Sequence, residues 1–282
     1  MDRALQTRFP LAYYQLIQRP RLFFRFRTEK QLVRGVSLSK NEHASILFFT
    51  THKCASRYVS RLFTSLAEAE GMTPVDYDAF VTSSKVPLSL HPYKAEGTLS
   101  FAFQPHGYYY GPIGSYREIP QHKDYRVFLQ LRDPRDVLTS LYYSTSFSHA
   151  LISPKVLRER KAALEISLDE FVLDNAKRYY LIYSDYCEYM LGQNKVLFLK
   201  YENMVGDFEG WLKQLSEHTG MDHLNENLQL IQDQANFQVS EENIFSQRRQ
   251  VTPGDHLRKL KPETIAKLNE VFSPILATLG YS

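Results

Sequence analysis

Short, uninterrupted apolar runs alternate along the chain with stretches whose apolar residues recur at helical spacing. Ser45-Ile-Leu-Phe-Phe49 has the length and density of a strand buried on both faces. It is followed by Tyr58 to Ala69, where Tyr58, Val59, Leu62, Phe63 and Leu66 share one side of a helix. The succession returns at Val127-Phe-Leu-Gln-Leu131, then a turn at Arg132-Asp-Pro-Arg135, then a helix through Val137, Leu138, Leu141 and Tyr142, with Asp136 as its expected N-cap. A third strand, Val196-Leu-Phe-Leu-Lys200, precedes a helix over Phe208 to Thr219, and Ser100-Phe-Ala-Phe103 predicts a further short strand. Repeated βα units predict an α/β fold with a mainly parallel sheet and helices on both faces. No solenoid or propeller period and no low-complexity segment interrupts residues 1–282, so a single domain is expected.

Ligands of such sheets sit at the carboxyl ends of the strands, which directs attention to two loops. Thr50-Thr-His-Lys-Cys-Ala-Ser-Arg57 joins a buried strand to a helix start and carries Lys53, Ser56 and Arg57. Backbone N–H groups, a hydroxyl and positive charge in one place make an anion cradle. The loop has no glycine and its lysine comes early, so it is not GxxxxGK[ST], which disfavours a nucleoside triphosphatase. In the second loop Arg132 leaves a buried strand and Ser140 lies about one turn into the following helix. An arginine fork and a hydroxyl placed this way either close on one phosphate or serve locally, with Arg132 pinning the turn through Asp136.

Composition adds limits. Of 282 residues 43% are apolar and 23% charged, enough for a large core. With 34 basic and 31 acidic side chains the net charge is only +3, which does not mark a nucleic-acid binder. The positive charge is uneven, concentrated in residues 1–34 and again in 244–267. No apolar run reaches eighteen residues and the first thirty lack a signal-peptide pattern, so a cytoplasmic location is expected. Two cysteines, Cys54 and Cys187, form no disulfide framework and no zinc-ligand spacing. The helix start and Lys53 would lower the pKa of Cys54, although filling a loop position is the other role open to it.

On these residues the chain resembles the sulfotransferases that use 3′-phosphoadenosine 5′-phosphosulfate (PAPS). Their first signature, Thr-x-Pro-Lys-Ser-Gly-Thr-Thr-Trp, is similar to Thr50-Thr-His-Lys-Cys-Ala-Ser-Arg-Tyr58. Their second, Arg-x-Pro-x-Asp-x-x-x-Ser, is met at every fixed position from Arg132 to Ser140. Tyr201-Glu-Asn-Met204 and Arg249-Gln-Val-Thr-Pro-Gly-Asp255 are similar to two later signatures. Departures are His52 for proline, Ala55 for glycine, Arg57 for threonine, and Gln250-Val251 for Lys-Gly.

The resemblance implies a three-layer α/β sandwich of the P-loop nucleoside triphosphate hydrolase type, and transfer of a sulfuryl group from PAPS without a metal, leaving 3′-phosphoadenosine 5′-phosphate (PAP). It implies that Lys53 meets the bridging oxygen and that Cys54, Ala55, Ser56 and Arg57 surround the 5′-phosphosulfate. Arg132, Ser140 and Arg249, with Arg248 beside it and Tyr201 nearby, then neutralise the 3′-phosphate. Arg57 either adds a contact to the sulfonate or points away, and Tyr58 either stacks on adenine or is a core aromatic. A histidine after the strand that precedes the second signature is the expected base, hence His106 behind Ser100–Gln104, with His91 and His122 as runners-up.

Tyr108–Tyr110, Tyr142, Tyr143, Phe147 and the segment Pro10–Phe26 are candidate lining for a small, apolar or aromatic, lipid-like acceptor. No nucleic-acid partner is expected. The basic extension 1–44 either meets an anionic membrane surface or packs on the fold. The rival readings are a phosphotransferase with a degenerate phosphate loop and a non-enzymatic anion- or nucleic-acid-binding module.

Overall fold

The computed structural model describes residues 24–83, 86–94, 99–119, 124–149, 154–227, 229–231, 242–246 and 249–281. Strands β1 (Ile46–Thr50), β2 (Thr73–Val75), β3 (Tyr108–Ile113), β4 (Arg126–Leu131) and β5 (Val196–Lys200) form one sheet in the order β2-β3-β1-β4-β5. β2 runs parallel to β3, and β4 parallel to β5 from Val127 opposite Val196 to Leu131 opposite Lys200. Every residue of β1 and all but the first of β4 are buried. Such runs suit a parallel sheet covered by helices on both faces, the expected α/β architecture.

Helices lie in the crossovers that parallel strands require, α1 (Ser56–Ala69) after β1 and α2 (Pro134–Tyr143) with α3 (Leu168–Tyr189) between β4 and β5, while α4 (Phe208–Thr219) and α5 (Pro262–Leu279) follow the last strand. α1 buries Val59, Phe63, Leu66 and Ala67, one stripe at helical spacing. A capping box between Ser167 and Glu170 starts α3. α4 begins where the Asp207 carboxylate accepts the Gly210 N–H and stops at Gly220, whose φ of 67° ends the helix.

By contacts the chain divides into two compact units. The first takes the described residues of Met1–Phe48 with Leu62–Ile113 and Arg117–Arg126. Its core is aromatic: Tyr108, Tyr109 and Tyr110 are all buried, Tyr109 stacks on Phe63 at 5.5 Å, and Phe103 lies 4.9 Å from Tyr110. The Tyr108 hydroxyl accepts the N–H groups of Leu38 and Ser39, and that of Tyr110 accepts the N–H of Gln104. These three tyrosines are therefore core and not the expected acceptor lining. Of Pro10–Phe26, residues 10–23 lie outside the described residues, and Phe26 is buried against Phe80 at 5.7 Å.

Two expectations are corrected here. Residues Leu99–Ala102 are helical, and the strand ahead of β4 is Tyr108–Ile113 instead. Three polar-tipped aromatics followed by Gly111-Pro112 disguise that strand, because glycine and proline inside a run argue against one. The N-cap of α2 is Asp133, not Asp136: its side chain accepts the Arg135 N–H at 2.9 Å, with Pro134 in the first helical position.

The second unit comprises Phe49–Arg61, Gly114–Tyr116 and Val127–Ser282, and it holds both signature loops. Trp211, Tyr179, Tyr183, Tyr186, Leu268 and Phe272 are among its fully buried side chains. No described helix is long and apolar enough to cross a membrane.

Candidate active site

Between β1 and α1 the chain turns through two left-handed residues, Lys53 at φ 67° and Ala55 at φ 59°, with buried Cys54 between them. Winding of this kind at a helix start gathers N–H groups on one side as an anion nest. The carbonyls are taken up from behind. Gln130 Nε2 donates to the Cys54 carbonyl at 2.7 Å, and the Tyr186 hydroxyl donates to that of Thr50 at 2.6 Å. Thr50 Oγ1 ties the strand end to the Gln130 carbonyl at 2.9 Å, while the buried Thr51 hydroxyl has no protein partner. Burial pushes the Cys54 thiol up to about 12, overriding the nearby Arg132 charge, so the expected lowering is reversed and Cys54 is a packing residue.

The second loop meets the first through Arg132, which is 3% exposed. Its Nη1 donates to the Lys53 carbonyl at 3.4 Å, its Nη2 to Asp136 at 3.1 Å, and its guanidinium lies 4.4 Å over the Tyr201 ring. Nε is buried without a partner. The Tyr183 hydroxyl holds the Arg132 carbonyl at 2.6 Å. Asp136 gathers more than Arg132: it also accepts Gly254 N–H at 2.8 Å, His256 N–H at 2.9 Å and contacts His256 Nδ1 at 2.7 Å. Burial alone would raise its carboxyl; the hydrogen bond from His256 and the Arg132 charge hold it well below the carboxylate range. The ion pair expected to pin one turn thus also fastens the late loop to α2.

That loop brings in Arg249. Its guanidinium is buried, stacks 4.0 Å over the Tyr143 ring and pairs with Glu242 and Asp255. Tyr201 Oη donates to the Val251 carbonyl at 2.7 Å, anchoring the same stretch. One cavity results, lined by Lys53, Ser140, Tyr143, Ser144, Ser148, Ser246, Arg249 and Gln250. Burial, then the charges of Arg132, Arg249 and Arg57, lowers Lys53 to about 8. A lysine crowded by arginines in a hydroxyl-lined cavity is an environment short of an anion.

The structure therefore brings Lys53, Ser140 and Arg249 to one cavity and joins Arg132 and Tyr201 to them. Cys54, Ala55 and Ser56 form the turn into α1, and Arg57 is exposed on its first turn. The Tyr58 ring packs edge-on to Phe208 at 6.3 Å. Arg248 and His122 lie outside the described residues. His91 follows a short 3₁₀ turn and accepts the Tyr93 N–H on Nδ1.

His106 loses the strand its assignment leaned on. It is exposed and bridges to Ala44 ahead of β1, whereas the Lys53 loop follows the end of β1. It stands before β3, and that strand leads into Gly114-Ser115-Tyr116. Among the proposed acceptor aromatics Tyr143 reaches the cavity, while Tyr142 packs on Phe171 at 5.4 Å and Phe147 on Phe245 at 6.1 Å.

Sequence reasoning found Ser140 but missed Gln130, His256 and the cavity serines Ser144, Ser148 and Ser246. The spacing of Ser140, Ser144 and Ser148 was a readable signal, since residues four apart share a helix face. A lone glutamine in an apolar strand gives no such sign.

The sulfotransferase domain family model matches residues 113–280. Among solved structures, mouse sulfotransferase SULT7A1 complexed with PAP aligns with TM-score 0.53 and 14% identity over 90% of this chain and 94% of that one. Retinol dehydratase in a complex with retinol and PAP aligns with TM-score 0.56 and 13% identity over 89% of this chain and 85% of that one. Its complex with androsterone and inactive cofactor PAP gives 0.56 and 12% over 91% and 85%. No curated protein matches the chain. The structural likeness establishes the fold, and the family model spans more than half of the sequence. The chain belongs to the sulfotransferase domain family, enzymes of PAPS-dependent sulfuryl transfer.

Proposed function

We propose that Lys53, the loop amides from Cys54 to Arg57, Arg132, Ser140 and Arg249 together hold PAPS, and that the acceptor is a hydroxyl or amine on a small molecule. The observation that carries this reading is the convergence of Lys53, Ser140 and Arg249 on one cavity beside a buried arginine with an unpartnered Nε. A doubly phosphorylated anion would supply a counter-charge to Lys53 and a partner to the Arg132 Nε. The small-molecule acceptor is supported by retinol and androsterone in the retinol dehydratase complexes. Two free cysteines suit a reducing compartment, which favours the cytoplasm.

Sulfuryl transfer builds negative charge on the oxygen that leaves with PAP, so the protein's share of the work is positioning and fixed positive charge. Lys53 is pre-placed for that oxygen. Its backbone is set by the left-handed turn, its carbonyl is held by Arg132, and its ammonium is largely protonated below about 8. Arg132 approaches from the β4–α2 turn and Ser140 from within α2, and Arg249 arrives on the segment that Asp136 fastens. A screen of phenols, sterols, lipids and sugars with PAPS, reading PAP release and using Lys53→Ala as control, tests the proposal. Lys53-independent turnover, or binding of ATP/Mg²⁺ in place of PAP, would overturn it.

A further inference from the structure

Two of the groups that hold Arg132 belong to neighbouring residues of one short helix, Tyr201–Gly206, which follows β5. The Tyr201 ring lies against the guanidinium at 4.4 Å. Glu202 holds the main-chain end of the same arginine: its Oε1 accepts the Asp133 N–H at 3.0 Å, the donor of the Arg132–Asp133 peptide. The carbonyl of that peptide accepts the Tyr183 hydroxyl at 2.6 Å. Both polar groups of the peptide by which Arg132 leaves β4 are therefore committed to side chains.

Glu202 is itself held from the C-terminal end of α5. That helix stops at Gly280, whose φ is 66°, and the Gly280 and Tyr281 N–H groups return to the carbonyls of Ala277 and Leu276. The turn brings Tyr281 to the end of β5. Its hydroxyl donates to Glu202 Oε2 at 2.8 Å, and Lys200 Nζ lies 4.5 Å from its ring and donates to the Gly280 carbonyl at 3.0 Å. α5 has a second line to the same place. Asn269 Oδ1 accepts Arg135 Nη1 at 2.6 Å, and Arg135 pairs with the Asp133 carboxylate at 2.7 Å. Neither Glu202 nor Tyr281 lines the cavity, so any influence they have there runs through Arg132.

We propose that Glu202 and Tyr281 are positioning residues that aim Arg132 at the 3′-phosphate, so that preference for a 3′-phosphorylated nucleotide depends on the C-terminal tyrosine. The proposal rests on the PAPS reading above. Without the Tyr281 hydroxyl, Glu202 Oε2 loses its partner and the carboxylate is no longer held against the Asp133 N–H. A shift of that peptide is carried outward along the Arg132 side chain, and charge-assisted hydrogen bonds weaken steeply with misalignment. Burial raises the Glu202 carboxyl, and the hydrogen bonds from Asp133 and Tyr281 oppose the rise. Removing one of them favours the protonated form, which no longer offers Arg132 a counter-charge. The Lys53 loop has its own supports in Gln130 and Tyr186, so contacts at the 5′ end should survive.

The test is calorimetry of PAP and 5′-AMP with wild type, Tyr281→Phe, Glu202→Ala and Glu202→Gln. Tyr281→Phe keeps the ring and loses only the hydroxyl; it should bind PAP about tenfold more weakly, with 5′-AMP affinity held within about twofold. Glu202→Ala should do the same, and adding Tyr281→Phe to it should cost nothing further, because both act through one link. Glu202→Gln should recover most of the loss, since its amide oxygen still accepts the Asp133 N–H. If Glu202→Ala folds poorly, Tyr281→Phe alone decides. Full preference for PAP in Tyr281→Phe, or equal weakening of both nucleotides, overturns the positioning role and leaves the PAPS reading standing. If wild type itself does not prefer PAP to 5′-AMP, the PAPS reading fails and this role fails with it.

Discussion

Gln130 donates its side-chain N–H to the carbonyl of Cys54 at 2.7 Å, and the other end of the same amide accepts Trp211 Nε1 at 3.0 Å. A fully buried glutamine with both ends engaged fixes the Cys54–Ala55 peptide, the second of the two that join the left-handed residues Lys53 and Ala55. The loop proposed to hold the phosphosulfate is thus shaped from the neighbouring strand.

Gln130→Leu removes both partners at once. It leaves the Cys54 carbonyl and Trp211 N–H buried and unpaired, at a cost of about 1–3 kcal/mol for each. Denaturant unfolding should show a loss of about 2–6 kcal/mol for the two together, and calorimetry should show PAP binding about tenfold weaker as the loop amides lose their aim. A variant with unchanged PAP affinity would show that the loop holds its shape unaided.

Ala55 occupies a left-handed conformation at φ 59°, where its Cβ crowds the following carbonyl at a cost of about 1–2 kcal/mol. Ala55→Gly relieves that strain, partly offset by the greater freedom of glycine in the unfolded chain. Thermal unfolding should rise by about 2 °C. Ala67→Gly, at a buried position inside α1, should lower it, and two shifts of the same sign would contradict the strain argument.

The lowered pKa of Lys53 sets the sign of a pH effect. Its protonated form attracts PAP and is lost as pH rises through about 8, so PAP affinity should weaken above that point. Bound phosphate draws the pKa back up, and the protein should take up protons on binding near that pH. Calorimetry in buffers of different ionisation enthalpy measures the uptake, which Lys53→Met should abolish.

Asp136 is held ionised by His256 and Arg132, so the stability it provides is present above the ordinary aspartate pKa of about 4 and is lost as pH falls through its lower folded value. Asp136→Asn breaks a buried pair and should cost about 3–5 kcal/mol. Hydrogen exchange should quicken first at the Gly254 and His256 amides, which donate to this carboxylate. Slow exchange there in the variant would mean that the late loop is fastened by something else.

Burial holds the Cys54 thiol near 12, so iodoacetamide should leave it unmodified in native protein and react with it after unfolding. Rapid native alkylation at Cys54 would contradict the packing role.

The legible part of this molecule was the part written in contiguous runs. β1, β4, β5 and α4 follow from apolar density and helical spacing, and the Arg132–Ser140 signature named its own residues. What escaped was settled by partners distant in sequence. β3 hides behind tyrosines whose hydroxyls are satisfied by Leu38, Ser39 and Gln104. Asp136 looked like a cap until Gly254 and His256 arrived from over a hundred positions away. Cys54 kept two roles open, an activated thiol or a packed loop residue, because a helix start and a lysine are visible in sequence while the burial that decides for packing is not.

The most direct test of the account is a calorimetric titration of wild type and Arg132→Ala with PAP and with 5′-AMP, which lacks the 3′-phosphate. Charge-assisted hydrogen bonds to that phosphate predict that wild type binds PAP about 100-fold more tightly than 5′-AMP, and that Arg132→Ala reduces the gap to about tenfold or less. Equal affinity of wild type for the two nucleotides, or a gap that survives in Arg132→Ala, would contradict it.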